Sequence, residues 1–299
     1  MIPLIYRIIY SACANKVLRN VNKALSPILP PKIKIPPSGV LRIVNQSGSH
    51  LNIKTNQTSY LTKQLFWLGY QNFEYTDIFI RLIKKVNVFY DIGANIGYYS
   101  LLARMENSNV RVVGFEPASG PLSYFRENVR LNNYKDITIE DVALSDREGE
   151  IKFFEIRNKK YKYLQHNLAG ESNTGSKTTD RNFVPTIVKT TTLDNYARSA
   201  NEKAIELIKM DTEGTEHMIL EKAEMVLGTM RPIIICETLF NTNESALEAV
   251  LSKYGYKFFN HTEDGLKEVE TLQRATDNGV RNSFFVHPDK VHLIAEFVK

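Results

Sequence analysis

The sequence predicts an α/β fold built on a doubly wound, mostly parallel sheet. Five short apolar runs alternate with helical stretches, and each run ends in an acidic residue. Apolar runs of this length, separated by helices, are typical of buried parallel strands. Ligands of such sheets bind in the crevice beyond the carboxyl ends of the strands, so we expect five carboxylates there. The runs are Val86–Asp91, Val110–Glu116, Ile137–Asp141, Ile205–Asp211 and Ile233–Glu237.

The first part of the sheet follows a regular alternation of strand and helix. The first apolar run leads into a glycine turn and a helix, and the second run leads directly into another helix. The third run is followed by a polar turn and a further apolar run, which predicts a hairpin. The predicted elements are strand Val88–Asp91, helix Tyr98–Met105, strand Val112–Glu116, helix Gly120–Leu131, and hairpin strands Ile137–Ala143 and Ile151–Ile156.

A long insertion precedes the second part of the sheet. Residues 157–185 are basic and aromatic, then rich in Gly, Ser, Thr and Asn. A segment of this length is either a substrate-facing flap or a solvated loop, and both interpretations stay open. The alternation then resumes, with one late strand running antiparallel. Its elements are strands Thr186–Thr190, Ile205–Asp211 and Ile233–Glu237, helices Thr215–Leu227 and Glu244–Tyr254, and late strands Tyr256–Asn260 and Ser283–Val286.

The chain before the first run divides into two parts. Residues 1–39 form an apolar, basic helical arm that ends in a proline-rich linker. Residues 40–85 form an extension that leads into the main domain, residues 86–299. Within the extension the pattern predicts short strands at Val40–Val44 and His50–Ile53 and a helix within Phe66–Lys85.

The charge of the chain is concentrated at its N-terminal end. No Asp or Glu precedes Glu74, whereas that segment holds nine Lys and Arg residues, which leaves 29 basic and 33 acidic residues in the remainder. The basic pI of about 8.9 therefore comes from the N-terminal quarter. It gives no reason to expect nucleic-acid binding by the folded core.

Within residues 2–29, the apolar opening around Arg7 is too short and too interrupted to span a bilayer, which takes about 20 apolar residues. Residues 2–29 fit either a basic helix on an anionic membrane surface or a helix packed on protein. Cys13 and Cys236 offer no disulfide framework, and we find no export signal. A cytoplasmic protein with possible peripheral membrane contact through residues 2–29 is expected.

The glycine turn after the first strand predicts a small anion site. Gly93 and Gly97 lie four residues apart, without the third glycine of the dinucleotide fingerprint. A glycine after a buried strand lets the backbone approach a ligand, and the helix start that follows offers N–H groups. A single carboxylate suits this turn better than a pyrophosphate.

The next two acids complete the outline of a ligand. Glu116 follows Asp91 by 25 residues, a position from which a carboxylate accepts hydrogen bonds from ribose hydroxyls. Asp141, at the end of the third run, is placed to accept from an adenine amino group. These spacings fit S-adenosylmethionine, whose positive sulfonium an acidic rim would favour.

At these motifs the chain resembles the FkbM family of S-adenosylmethionine-dependent methyltransferases. The similar blocks are Val88–Gly97, Gly114–Pro117, Val142–Asp146, Thr192–Asp194, Ile208–Glu216, Arg231–Glu237 and Asn282–Val286. The resemblance implies a Rossmann-like class I methyltransferase domain that methylates a hydroxyl oxygen of a glycan, polysaccharide or small molecule. Matched to its motifs, the expected cofactor-binding residues are Asp91, Gly93, Ala94, Asn95, Gly97, Glu116, Pro117, Asp141 and Ala143.

A hydroxyl acceptor must lose a proton, so a base is expected near the methyl group. Asp211 is the first candidate, followed by Glu213 and Glu237. An ordinary Asp, with a pKa of about 3.9, is a poor base for an alcohol unless burial raises its pKa or proton loss is concerted with transfer. Glu213 also fits a purely electrostatic role at a helix start. We predict no metal site, since histidines do not cluster and the cysteines lack metal-ligand spacing; Mg²⁺ held through the oxygens of paired acids is the alternative that stays open.

Two other functions share this pattern. A nicotinamide-dependent oxidoreductase would have the same sheet and ribose-binding acid, but the missing third glycine argues against it. A non-catalytic, membrane-associated binding protein could retain the same fold. The intact glycine turn beside intact strand-end acids argues against that alternative. The sequence leaves the acceptor and the oligomeric state open.

Overall fold

The computed structural model describes residues 2–30, 32–156, 160–161, 163–168 and 183–299. Its α-helices are α1 (Ile2–Ile9), α2 (Ala12–Ala24), α3 (Tyr60–Leu68), α4 (Thr76–Ile83), α5 (Tyr98–Glu106), α6 (Ser119–Leu131), α7 (Leu193–Ser199), α8 (Glu216–Glu221), α9 (Glu244–Ser252) and α10 (Val291–Ile294). Its strands are β1 (Gly39–Val44), β2 (His50–Thr55), β3 (Val88–Ile92), β4 (Arg111–Phe115), β5 (Ile137–Glu140), β6 (Ala143–Leu144), β7 (Gly149–Ile156), β8 (Phe183–Thr191), β9 (Leu207–Met210), β10 (Ile233–Glu237), β11 (Lys257–Thr262), β12 (Gly265–Val269) and β13 (Asn282–Val286).

An eight-stranded sheet forms the centre of the fold, in the order β12-β11-β13-β10-β9-β3-β4-β5. The five strands from β10 to β5 in this order are parallel neighbours. β13 runs antiparallel to both β10 and β11. The predicted fold class is confirmed: a Rossmann-like, doubly wound sheet, mostly parallel, with an antiparallel late strand.

The five strand-end acids lie at one edge of this sheet. β3 pairs with β4 on one side and with β9 on the other, so the chain leaves β3 and returns to it on opposite sides. A crevice opens at such a reversal of strand order, beyond the carboxyl ends of the strands. The topology thus places the glycine turn after β3 between two pairs of acid-bearing strand ends.

The core consists of two apolar layers, one on each face of the sheet. Phe89 and Phe284 face one layer, and Tyr90 and Phe285 face the other. Neighbouring residues of a strand point to opposite faces, so a strand that is covered on both faces is apolar throughout. This double burial explains why the central strands are continuous apolar runs in the sequence.

The predicted hairpin after the third strand is wrong. β5 ends at Glu140, and β7 pairs antiparallel with β8 instead, in a separate three-stranded sheet of order β6-β8-β7. The run at Thr186–Thr190 therefore belongs to this small sheet and not to the central one. Of the predicted insertion, residues 157–159, 162 and 169–182 lie outside the described residues.

Two predicted helices are also shorter than expected. The stretch Phe66–Lys85 is interrupted between α3 and α4, where Gly69 and Glu74 have φ values of 86° and 45° that a right-handed helix does not allow. The helix predicted to reach Leu227 ends at Glu221 as α8. A π-helical turn follows at Val226–Met230.

The N-terminal arm, α1 and α2, packs on the domain through polar side chains. Asn15, Arg19 and Asn22 are all buried, at intervals of four and three residues on one face of α2. They bond the backbone of residues 33–40, with Arg19 donating to the carbonyl oxygens of Ser38 and Val40 at 3.0 and 2.9 Å. No helix in the described part of the chain combines the length and apolarity needed to span a bilayer.

Replacing Arg19 should loosen the arm. Arg19→Ala leaves the carbonyl oxygens of Ser38, which is buried, and Val40 without this donor, at a local cost of about 1–3 kcal/mol. Hydrogen exchange at the amides of α2 should therefore accelerate, while exchange in β3 and β9 stays unchanged. The control is Lys16→Ala, an exposed position on the same helix. Equal exchange in both variants would contradict this account of the arm.

Candidate functional site

A cavity of about 850 Å³ lies at the carboxyl edge of the central sheet. Its size falls in the range of small-molecule sites. The turn after β3, the residues after β4 and β9, and the last residue of β10 line it. β7 and residues 165–168 supply further lining residues, which are Ile151, Lys152, Phe153, Phe154, Glu155, Gln165, His166, Asn167 and Leu168.

The backbone of the glycine turn needs its glycines. Gly93 and Gly97 adopt φ values of 72° and 83°. A Cβ atom on Gly93 would lie 2.0 Å from the carbonyl oxygen of Asp211, and one on Gly97 would lie 2.1 Å from the ring of Phe125. The turn is therefore pressed against both the β9 strand end and helix α6, with no room for a side chain.

The N–H groups of this turn are not free for an anion, contrary to expectation. The amides of Gly93 and Ala94 both donate to the carbonyl oxygen of Phe115, at 3.0 and 2.9 Å. The amide of Asn95 donates to the Glu116 carboxylate at 2.7 Å. These hydrogen bonds hold the turn against the end of β4 and Glu116. Gly93, Ala94 and Asn95 line the cavity, but their N–H groups are already bonded.

Glu116 lies at the cavity wall with both carboxylate oxygens anchored. Oε2 accepts from the amide of Asn95 and Oε1 from the amide of Ala118, at 2.7 and 2.8 Å. Burial raises the pKa of Glu116 to about 7, although these two donors act to lower it. Each oxygen keeps a further lone pair, which can accept from a hydroxyl of a ligand. Pro117 lines the cavity beside it.

Asp91 lies beneath the cavity and does not line it. Its Oδ2 accepts from the amide and the hydroxyl of Ser100, at 3.0 and 2.7 Å, and so fixes the start of α5. Its Oδ1 is buried without a hydrogen bond and lies 3.7 Å from Nζ of Lys209. The geometry gives Asp91 a supporting position under the glycine turn and no direct contact with a ligand.

Asp141 also lies away from the cavity. Its side chain is 66% exposed and pairs with Arg126 at 3.1 Å. The reason is that β5 ends one residue earlier, after which the chain turns into β6. Val142, Ala143 and Leu144 line the cavity in its place. The structure thus places Asp141 outside the cavity, and its role in binding the cofactor stays a prediction.

A buried lysine joins the two halves of the site. Nζ of Lys209 donates to the carbonyl oxygen of Gly93 at 3.0 Å and lies 3.5 Å from the carboxylate of Asp211. Burial alone would lower the pKa of Lys209, but Asp211 and Asp91 raise it above its ordinary value. The lysine is therefore a fixed positive charge between the glycine turn and the β9 strand end.

Acidic side chains line the cavity on the β9 and β10 side: Asp211, Glu213, Glu237 and Glu74. Burial, together with the negative charges of Asp211 and Glu213, raises the pKa of Glu237 to about 8. Oε2 of Glu237 is buried without a hydrogen-bond partner among the described residues. A carboxyl in this state can hold a proton at neutral pH and exchange it with a ligand.

Glu74 is the site residue that the sequence analysis missed. Glu74 is an exposed residue that lines the cavity, but protein atoms surround its carboxyl group. This burial of the carboxyl and the negative charge of Asp211 raise its pKa to about 7. The hydroxyl of Tyr99 donates to it at 3.2 Å. Its φ of 45° breaks the helix predicted across this position, so periodicity concealed it. The only sequence signal was that Glu74 is the first acid of the chain.

Glu216 orders the loop that carries the catalytic candidates. Its side chain is fully buried, and Oε1 accepts from the amides of Thr212 and Gly214 at 2.8 and 3.2 Å. These bonds hold Glu213 in a left-handed conformation with φ of 60°. Among the described residues, no three His, Cys, Asp or Glu side chains are arranged to hold a metal ion.

The sequence profile described as "Methyltransferase FkbM domain" matches residues 91–258. A curated relative, the 31-O-demethyl-FK506 methyltransferase FkbM of Streptomyces tacrolimicus, is 34% identical over 67 residues, or 22% of this chain. The match spans a quarter of that relative's length.

Two solved structures are also similar. The methyltransferase FkbM of Methylobacillus flagellatus aligns with a TM-score of 0.44 and 14% identity over 67% of this chain and 43% of its own. A putative SAM-dependent methyltransferase of Streptococcus mutans aligns with a TM-score of 0.44 and 11% identity, over 85% of this chain and 57% of its own. The assignment of the chain rests on the profile match, which covers more than half of it.

Gly93→Ala should destabilise the protein by more than the backbone strain that a positive φ causes at one residue. The added Cβ meets the backbone of Asp211, which cannot move aside as a side chain can. Gly48→Ala is a matched control, because Gly48 has φ of 86° with open space around it. We expect the free energy of unfolding in urea to fall about 1–3 kcal/mol further for Gly93→Ala. Equal losses would show that the close approach does not exist.

Proposed function

Since the chain belongs to the FkbM family of methyltransferases and uses S-adenosylmethionine, we propose that it methylates a hydroxyl oxygen of a glycan or small-molecule acceptor. The observation that carries this proposal is the carboxyl of Glu237. It lines the cavity with Oε2 unpartnered and a pKa of about 8. A hydroxyl acceptor needs a proton acceptor of this kind, whereas a sulfonium donor alone does not deprotonate an alcohol.

The residues around the cavity fit the cofactor in the β3–β4 half of the site. Glu116 offers two anchored carboxylate oxygens with spare lone pairs to ribose hydroxyls. Val142, Ala143 and Leu144 offer an apolar wall to the adenine ring. When bound, S-adenosylmethionine supplies a methyl group on a positively charged sulfur. The acidic side chains of the site stabilise positive charge there.

The β9–β10 half of the site then receives the acceptor. In our proposal the carboxyl of Glu237 takes the hydroxyl proton, since Glu237 lines the cavity and its Oε2 is buried without a donor. Asp211 is held by Lys209, and its negative charge keeps the proton affinity of Glu237 high. Glu213 accepts further hydroxyls of the acceptor at the cavity surface. Positioning of the two reactants supplies much of the remaining acceleration.

The cavity surface supports an acceptor with both hydroxyl and apolar groups. Tyr60, Leu61 and Phe153 line it together with the polar side chains of Gln165 and Asn167. Its acidic side disfavours an anionic acceptor. The curated relative carries the name of a 31-O-demethyl-FK506 methyltransferase, which also points to an oxygen acceptor.

The two alternatives from the sequence fare differently. Membership of a methyltransferase family removes the nicotinamide oxidoreductase. Against a non-catalytic binding protein stand the raised pKa of Glu237 and the anchored Glu116. Labelled methyl transfer from S-adenosylmethionine into a fractionated cell extract tests that alternative. The cytoplasmic location stays a prediction.

Glu116→Ala should weaken cofactor binding about 10–100-fold, because two charge-assisted hydrogen bonds to ribose are lost. Calorimetry with S-adenosylmethionine measures this directly. Asp141→Ala is the matched control, an exposed acid at the next strand end that lies outside the cavity. It should bind the cofactor as the unmodified chain does. If Asp141→Ala loses affinity and Glu116→Ala keeps it, the placement of the cofactor is wrong.

Glu237→Gln should bind the cofactor but lose turnover about 10²–10⁴-fold, because the glutamine cannot accept the hydroxyl proton. In the unmodified chain, turnover should rise as pH increases through about 8, where Glu237 loses its proton. This rise of turnover with pH should be absent from the residual activity of Glu237→Gln. Glu150→Gln, an exposed position outside the cavity, serves as the control. A pH profile that is unchanged in Glu237→Gln would assign the proton to another group, with Asp211→Asn as the next variant.

A further inference from the structure

The N-terminal arm has its polarity reversed relative to an ordinary surface helix. A surface helix normally buries its apolar side chains and exposes its polar ones. In α2 the buried side chains are Asn15, Arg19 and Asn22, all bonded to the backbone of residues 33–40. The apolar side chains of the same helix therefore point away from the protein.

Exposed apolar side chains are concentrated in this part of the chain. Val17, Val21 and Leu25 follow one another at four-residue intervals on α2 and are 63%, 51% and 42% exposed. Eight of the fifteen large apolar side chains that are exposed in the described chain lie between residues 4 and 28. We call these eight the outward face of the arm: Leu4, Ile5, Ile8, Val17, Leu18, Val21, Leu25 and Ile28.

Positive charge accompanies this face. Arg7 and Lys16 are exposed among its residues, and Lys32 follows it. In the described part of the chain, none of these three pairs with a carboxylate. The first 73 residues contain no acid at all. A second copy of the face would therefore meet like charge, whereas an anionic lipid surface would meet opposite charge.

We propose that the outward face of the arm docks on an anionic membrane surface. The apolar side chains enter the boundary between headgroups and acyl chains, and Arg7, Lys16 and Lys32 contact the lipid phosphates. Binding of this kind depends on both buried apolar area and opposite charge, and the arm offers the two together. The inward hydrogen bonds of Asn15, Arg19 and Asn22 hold α2 to the chain segment that leads into β1 while its outer face is in the lipid.

Docking would also hold the cavity close to the membrane. Tyr6 of α1 and Tyr10, which directly follows α1, contact the ring of Tyr161 edge-on, with centroids 5.4 and 5.7 Å away. The hydroxyl of Tyr163 donates to the carbonyl oxygen of Tyr6 at 3.2 Å. Residues 165–168, directly after these tyrosines, line the cavity. The arm and this part of the cavity wall are thus one connected unit.

The test is co-sedimentation of the full chain with vesicles of pure phosphatidylcholine and of phosphatidylcholine with phosphatidylglycerol. We expect sedimentation with the anionic vesicles only, and its loss at high salt. The double variant Val17→Glu/Val21→Glu should bind at least ten-fold more weakly. Its matched control is Ile187→Glu/Val44→Glu, since these side chains are 63% and 50% exposed on other parts of the surface. Circular dichroism establishes that both double variants fold.

Three results would overturn the proposal. One is equal sedimentation of both double variants, and another is equal binding to neutral and anionic vesicles. The third is that light scattering shows the unmodified chain as a dimer and the Val17→Glu/Val21→Glu variant as a monomer. The outward face of the arm would then join two copies of the chain. Glu237→Gln should sediment as the unmodified chain does, which separates docking from the chemistry of the cavity.

Discussion

The site depends on one buried cation, Lys209. Its ammonium group lies between the carbonyl oxygen of Gly93 and the carboxylates of Asp91 and Asp211. A buried charge is costly unless it is paired, and removing one partner of such a group leaves the others uncompensated. The lysine therefore fixes the glycine turn and the β9 strand end relative to each other. Together with the parallel pairing of β3 and β9, this contact sets the spacing between the glycine turn and the acidic side of the cavity.

The acids at the sheet edge separate into two kinds because of their surroundings. Asp91 accepts from the amide and the hydroxyl of Ser100 through Oδ2, and Glu216 accepts from the amides of the loop after β9 through Oε1, so the two acids hold the glycine turn and that loop in place. Glu237 lines the cavity with an oxygen that no protein donor satisfies. The same residue type thus serves structure in one case and is available for chemistry in the other. Burial raises the pKa of Glu237 because no hydrogen bond to Oε2 offsets the loss of solvation of the carboxylate.

The sequence predicted the central sheet well, since strands buried on both faces leave continuous apolar runs. It also predicted the edge where the acids gather. It could not predict which acids face the cavity, because one residue at a strand end decides this. Asp141 lies beyond the end of β5 and points to solvent, and Glu74 enters the site through a break in a predicted helix. The pairing of β7 with β8 joins strands across an insertion, which local periodicity does not encode.

The central claim is that the cavity keeps a carboxyl protonated near neutral pH, beside a lysine that stays charged. A carbon-13 NMR titration of the side-chain carboxyl of Glu237 measures this most directly. The account predicts an apparent pKa of about 8, shared with the neighbouring acids of the site. A titration midpoint near the ordinary value of about 4.3 would contradict it, since Glu237 would then be an ordinary solvated acid.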